Sequence, residues 1–85
     1  MSSPDPKADL RLARAYAAKH LPWFAPALYR CNIVLNQQVS VAAIDPHYNV
    51  YWNPEAVGQI TGSTGERTRQ LEELAFIWVH EISHN

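Results

Sequence analysis

The chain has 85 residues, 7 Lys+Arg against 8 Asp+Glu, a formal net charge of -1, 47% hydrophobic residues and one cysteine. Such a length holds one small domain, 1–85, because a chain this short buries only ~60–65% of its unfolded surface and cannot build two cores. The balanced charge with no basic cluster argues against nucleic acid, and the lone Cys31 excludes an internal disulfide and suits a cytoplasmic, reducing setting.

Residues 1–5 read as a flexible, Pro-containing start with none of the marks of a signal peptide. A helix is expected to begin near Asp5, with Pro6 at the first helical position, where the missing N–H costs nothing. Leu10, Ala13, Ala17 and Leu21 then form one apolar stripe, leaving Arg11, Arg14 and Lys19 to solvent. Pro22 ends the helix. A short second helix is expected over 26–30, with Trp23, Phe24, Leu28 and Tyr29 as packing residues.

The period then changes to two. Val39 to Ile44 and Val50 to Trp52 predict an antiparallel hairpin closed by Asp45-Pro46-His47-Tyr48-Asn49. Asn53-Pro54 stops the second strand, and Gln59 to Gly65 reads as a loop. The last helix starts from a capping-box spacing of Ser63 and Glu66, with Thr68 as a competing start. Leu71, Leu74, Ala75, Trp78 and Ile82 supply its apolar face. No apolar run approaches the ~18 residues of a membrane span, so no membrane partner is expected.

One motif carries chemistry. His80-Glu81-Ile82-Ser83-His84 matches H-E-x-x-H, which a shuffled chain of this composition produces only ~0.8% of the time. Residues four apart lie one turn above each other on a helix, so His80 and His84 can present two imidazole nitrogens to one Zn²⁺. Glu81, next to the first histidine, can act as general base towards a water whose pKa the metal lowers. Phe76, Ile77 and Val79, just before the motif, are expected to hold this part of the helix against a core. The bland alternative is a pair of ordinary histidines on an amphipathic helix.

These residues carry a family resemblance. The segments Ala43-Ile44-Asp45, Val50-Tyr51-Trp52-Asn53-Pro54-Glu55-Ala56-Val57 and Leu74 to His84 resemble the metallopeptidase domain that precedes von Willebrand factor A-like (VWA-like) domains in bacterial proteins. Many of those proteins are encoded near MoxR-type ATPases. The resemblance implies a zincin-like α+β fold of N-terminal helices, a β-hairpin and a C-terminal HExxH helix. It also implies zinc, a peptide or protein substrate, and a VWA-like domain or MoxR-type ATPase as partner. On the zincin analogy, Val50 to Trp52 is expected at the sheet edge facing the cleft, where an extended peptide could pair with it. Domains of this kind continue to a third ligand after the second histidine. The present sequence ends at Asn85, so it reads as an N-terminal, incomplete piece that is inactive alone.

Candidates for a third ligand within the chain are His47, Asp45, His20 and Glu73, each with a plainer reading. His47 and Asp45 fit a solvated turn, with Asp45 as its starter. His20 fits a cation at a helix C-terminus, and Glu73 a solvated face or a pair with Arg69. Cys31 lacks a base at readable spacing and is expected to be buried and inert. Trp23-Phe24 and Tyr51-Trp52 could line a groove but more often pack a core. Gly58, Gly62 and Gly65 match no phosphate-loop pattern. A non-catalytic interaction or assembly module, keeping only a remnant of a metal site, is the rival to the hydrolase reading.

Overall fold

The computed structural model describes residues 5–62 and 66–84. Asp5, expected to be part of a flexible start, instead caps the first helix: its carboxylate accepts the Lys7 N–H at 3.1 Å. Helix α1 runs Pro6–His20 and buries Leu10, Ala13 and Ala17 of the expected stripe, while its fourth member, Leu21, is the half-buried C-cap. Pro22 starts a single 3₁₀ turn, Pro22–Phe24, which leads directly into α2, Ala25–Arg30. Leu28 is fully buried and Phe24 packs against the core. Trp23 and Tyr29, expected to pack, are instead 71% and 57% exposed.

Three strands come next: β1 (Asn32–Leu35), β2 (Ala42–Ile44) and β3 (Asn49–Trp52). β2 and β3 form the expected antiparallel hairpin, although its first strand begins at Ala42 and not at Val39. β1 has no counterpart among the expected elements; it pairs parallel to β3, so the sheet order is β1-β3-β2. Ile33, Val50 and Ile44 form one cross-strand row, and Leu35, Trp52 and Ala42 the next. Val50 and Trp52 are fully buried at the centre of these rows. Strand β3 is therefore central, paired on both sides, and not the edge strand expected from the resemblance. The edge strand that packs against the last helix is β2.

Asn53-Pro54 does stop β3, but the chain then enters a helix, α3, Pro54–Thr61. Its last residues, Gln59 to Thr61, are helical where a loop is expected. Asn53 makes the helix possible by accepting the N–H groups of Glu55 and Ala56, and Pro54 occupies the first turn. The last helix, α4, spans Arg67–Ser83 with Glu66 as its N-cap residue. The capping role expected of Ser63, the glycine of the loop at Gly65 and the flexibility assigned to 1–4 fall outside the described residues. Thr68 lies inside α4, so it does not start the helix.

The result is an α+β fold: four α-helices and a small mixed sheet among the described residues. The core joins Leu10, Ala13 and Ala17 of α1 to Leu74, Ala75, Trp78 and Ile82 of α4, with Leu28, Val50, Trp52 and Val57 completing it. Alanines at 13, 17 and 75 let α1 and α4 pack closely, and this is the most extensive helix contact. Among the described residues no helix is long and apolar enough to cross a membrane. One expectation about charge also changes. Arg14 is half-buried, and Lys7, Arg11 and Arg14 line one concavity, a basic cluster that the balanced linear sequence hides.

Candidate metal centre

The rotation of α4 about its axis decides where the motif points. Trp78 sets it, because its indole is fully buried, donates its Nε1–H to the Leu10 carbonyl at 3.1 Å, and lies 5.2 Å from the Trp52 ring. With Leu74, Trp78 and Ile82 inward, His80 and His84 fall on the exposed side and Glu81 is half-buried between the two faces. Phe76, expected to hold the helix inward, is 73% exposed and its ring centre lies 6.5 Å from that of His80.

His80 and Glu81 belong to α4, and His84 is its C-cap with still-helical angles, φ -86° and ψ -9°. Its N–H reaches the Glu81 carbonyl at 3.1 Å, an i→i−3 bond that tightens the last turn. Ser83 turns its hydroxyl back onto the Val79 carbonyl at 2.8 Å and so stays out of the histidine face. The Nε2 atoms of His80 and His84 lie 3.1 Å apart, with ring centres at 4.5 Å and ring planes at 76°. Two imidazole nitrogens bound at ~2.0–2.1 Å to one tetrahedral zinc would stand ~3.3 Å apart. The separation of the two nitrogens is thus close to the one half of such a site requires. In the absence of a metal, the same separation allows one ring N–H to donate to the other nitrogen.

Glu81 sits about 100° around the helix from His80 and about 60° from His84, so it flanks the pair rather than lying between the rings. Among the described residues its carboxylate makes no hydrogen bond.

None of the third-ligand candidates joins them: among the described residues, no three His, Cys, Asp or Glu side chains come together as a metal group. His47 is exposed in the hairpin loop, donating its backbone N–H to Asp45. Asp45 is the turn starter, engaged by four donors of its own hairpin. His20, in the last turn of α1, stacks 4.3 Å from the Tyr16 ring, and Glu73 is exposed. Cys31 is buried, its Sγ–H directed at the Ala27 carbonyl, and burial pushes its thiol pKa up, as an inert thiol requires. Of the aromatic pairs, Trp52 is core. Tyr51 is half-buried and its hydroxyl donates to Asp45, which raises the phenol's pKa.

A feature beside the histidines was not legible in the sequence. An apolar groove of about 330 Å³ runs between α1 and α4, walled by Tyr16, Leu21, Ala75, Phe76 and Val79. The Tyr16 hydroxyl donates to Glu72 at 3.1 Å along it. Its two walls are more than fifty residues apart in the chain, so no local pattern announces it. No protein-family model, no curated protein and no solved structure matches the chain.

Proposed function

We propose that the chain is a zinc-dependent hydrolase domain of metallopeptidase type, in keeping with its resemblance to the domain that precedes VWA-like domains. The observation that carries this reading is the 3.1 Å separation of the His80 and His84 Nε2 atoms on an H-E-x-x-H segment. His80 and His84 would hold Zn²⁺ through Nε2, leaving two positions of a tetrahedral site for other groups. Bound there, the metal would supply Lewis acidity and bring a water's pKa towards ~7. Glu81, with no competing hydrogen bond among the described residues, would be the residue to serve as general base there and as acid towards the leaving amine. A cytoplasmic setting belongs to the same proposal, since a single buried thiol suits a reducing compartment.

Competition of the chain with a chelator for Zn²⁺ tests the metal. Binding should be weaker than that of a closed four-ligand site, absent in H80A and H84A, and retained in E81Q. Zinc binding that survives His84→Ala would overturn the assignment. In any protein that carries this domain together with a third metal ligand, Glu81→Gln should lower peptide hydrolysis by ~10²–10⁴ while zinc is kept. An unchanged rate in that variant would remove Glu81 from the mechanism.

Exposed Trp23 and Phe76 favour a second reading, a non-catalytic interaction module working with a VWA-like domain and a MoxR-type ATPase. Its signature would be partner binding that W23A or F76A abolishes and E81Q leaves intact.

A further inference from the structure

On the side of α1 where Arg14 meets α2 and β1, Lys7, Arg11 and Arg14 line a concavity of about 300 Å³, closed by Tyr29, Cys31, Asn32 and Ile33. Spacings of four and three place the three cations on one helix face. No Asp or Glu lines this concavity, and among the described residues the one ion pair is Arg67–Asp9, elsewhere on the fold. Three cationic side chains therefore border one concavity that no carboxylate lines, in a chain whose net charge is -1.

Arg14 is the informative member. One arm of its guanidinium donates to the Cys31 carbonyl at 3.2 Å, and its carbon lies 5.2 Å from the Tyr29 ring centre and 5.6 Å from that of Trp78. Its Nε is shut off from solvent with no hydrogen-bond partner. Partial desolvation of the guanidinium is costly unless an anion compensates its charge, although Nε itself, closed off from solvent, cannot meet a ligand. Lys7 adds a second anomaly. It stands in the first turn of α1, where the helix dipole is already positive and a cation is unfavourable. Both features oppose stability and raise the positive potential of the same concavity.

We propose that this concavity binds the phosphate group of a small molecule. Guanidinium forks match the oxygens of a tetrahedral anion, and three cations suit a dianion better than a single carboxylate. Its volume is at the small end of ligand sites, which fits a compact metabolite. Lys7 and Arg11, both exposed, close on the anion, while Arg14 is held rigid by its contacts to Cys31, Tyr29 and Trp78.

The test is an amide and guanidinium NMR titration of the whole chain with inorganic phosphate and with phenyl phosphate, at constant ionic strength. Saturable shifts should centre on Lys7, Arg11, Arg14, Asn32 and Ile33. The double variant K7Q/R11Q, altered only at exposed positions, should keep its spectrum and melting temperature but bind at least about tenfold more weakly, as expected when charge-assisted hydrogen bonds are lost. K7R/R11K should retain binding. Tighter binding of phenyl phosphate than of phosphate identifies an organic phosphate as the ligand; weaker binding of the ester overturns a small-molecule phosphate in favour of the free ion. Shifts that fail to saturate, or that persist unchanged in K7Q/R11Q, would overturn the site itself.

Discussion

Asp45 shows how one side chain can fix a turn. Its Oδ1 accepts the backbone N–H groups of His47 at 2.8 Å and Asn49 at 3.0 Å, and its Oδ2 accepts Asn49 Nδ2 at 3.0 Å and Tyr51 Oη at 2.9 Å. The backbone closes around it, with Tyr48 N–H on the Asp45 carbonyl and Asp45 N–H on Asn49, a three-residue hairpin loop with Pro46 in its first position. That loop needs a left-handed residue, and here it is Tyr48, at φ 65°, not a glycine. Its ring under the Arg30 guanidinium, 4.5 Å away, and its packing on the core offset the strain. The Asn49 side-chain bond, reinforced by its backbone N–H, holds the Asp45 carboxyl down to about 2. Because the folded value lies below the unfolded ~3.9, the ionised form supports the fold above that pH. Stability from this residue should be complete above about pH 5 and disappear as pH falls from ~4 to ~2. Thermal melts across that range should show a smaller slope in D45N than in the wild type. Equal slopes would remove Asp45 as the source.

At the scale of elements, the junction between β3 and α3 rests on Asn53. Its Oδ1 caps α3 through Glu55 and Ala56, while its Nδ2 donates to the Val39 carbonyl at 2.9 Å and, at 3.4 Å, to that of Gln37. One side chain thus starts a helix and anchors the segment between β1 and β2. Asn53→Ala should cost ~1–3 kcal/mol, the sum of a cap and a side-chain tie. Asn53→Asp keeps the cap and loses the donor, so denaturant unfolding should place it between wild type and N53A. If N53D were as unstable as N53A, the cap would contribute nothing.

For the molecule as a whole, stability depends on the seam between α1 and α4, since the sheet is small. Leu74, fully buried there with Leu10 and Trp78, is the clearest probe. Leu74→Ala should cost ~2–5 kcal/mol, a large share of the ~5–15 kcal/mol that holds a typical domain together. In a domain of this size that lowers Tm by at least ~10 °C, measurable by calorimetry or circular dichroism. The Arg67–Asp9 pair joins the same two helices but is half exposed on the arginine side, so D9N should change little.

The elements legible in the sequence were those with local causes. Proline at 6, 22 and 54, the stripe of α1, the alternation around Asp45 and the periodic face of α4 act within a turn or a strand, and each marks a boundary or a buried face found in the fold. The spacing of His80 and His84 was likewise local, because a helix alone sets the distance between residues four apart. Tertiary packing decided what no local pattern carries. β1 is a strand because β3 lies beside it, which also moves β3 from the edge to the centre. Gln59 to Thr61 are helical because Asn53 caps α3 and Val57 enters the core, overriding the glycines nearby. Trp23, Tyr29 and Phe76 are apolar enough to be buried, yet all three stay largely exposed, because the elements beside them cover only part of each ring. Burial depends on which surfaces face one another, and a linear pattern gives only which surfaces are apolar.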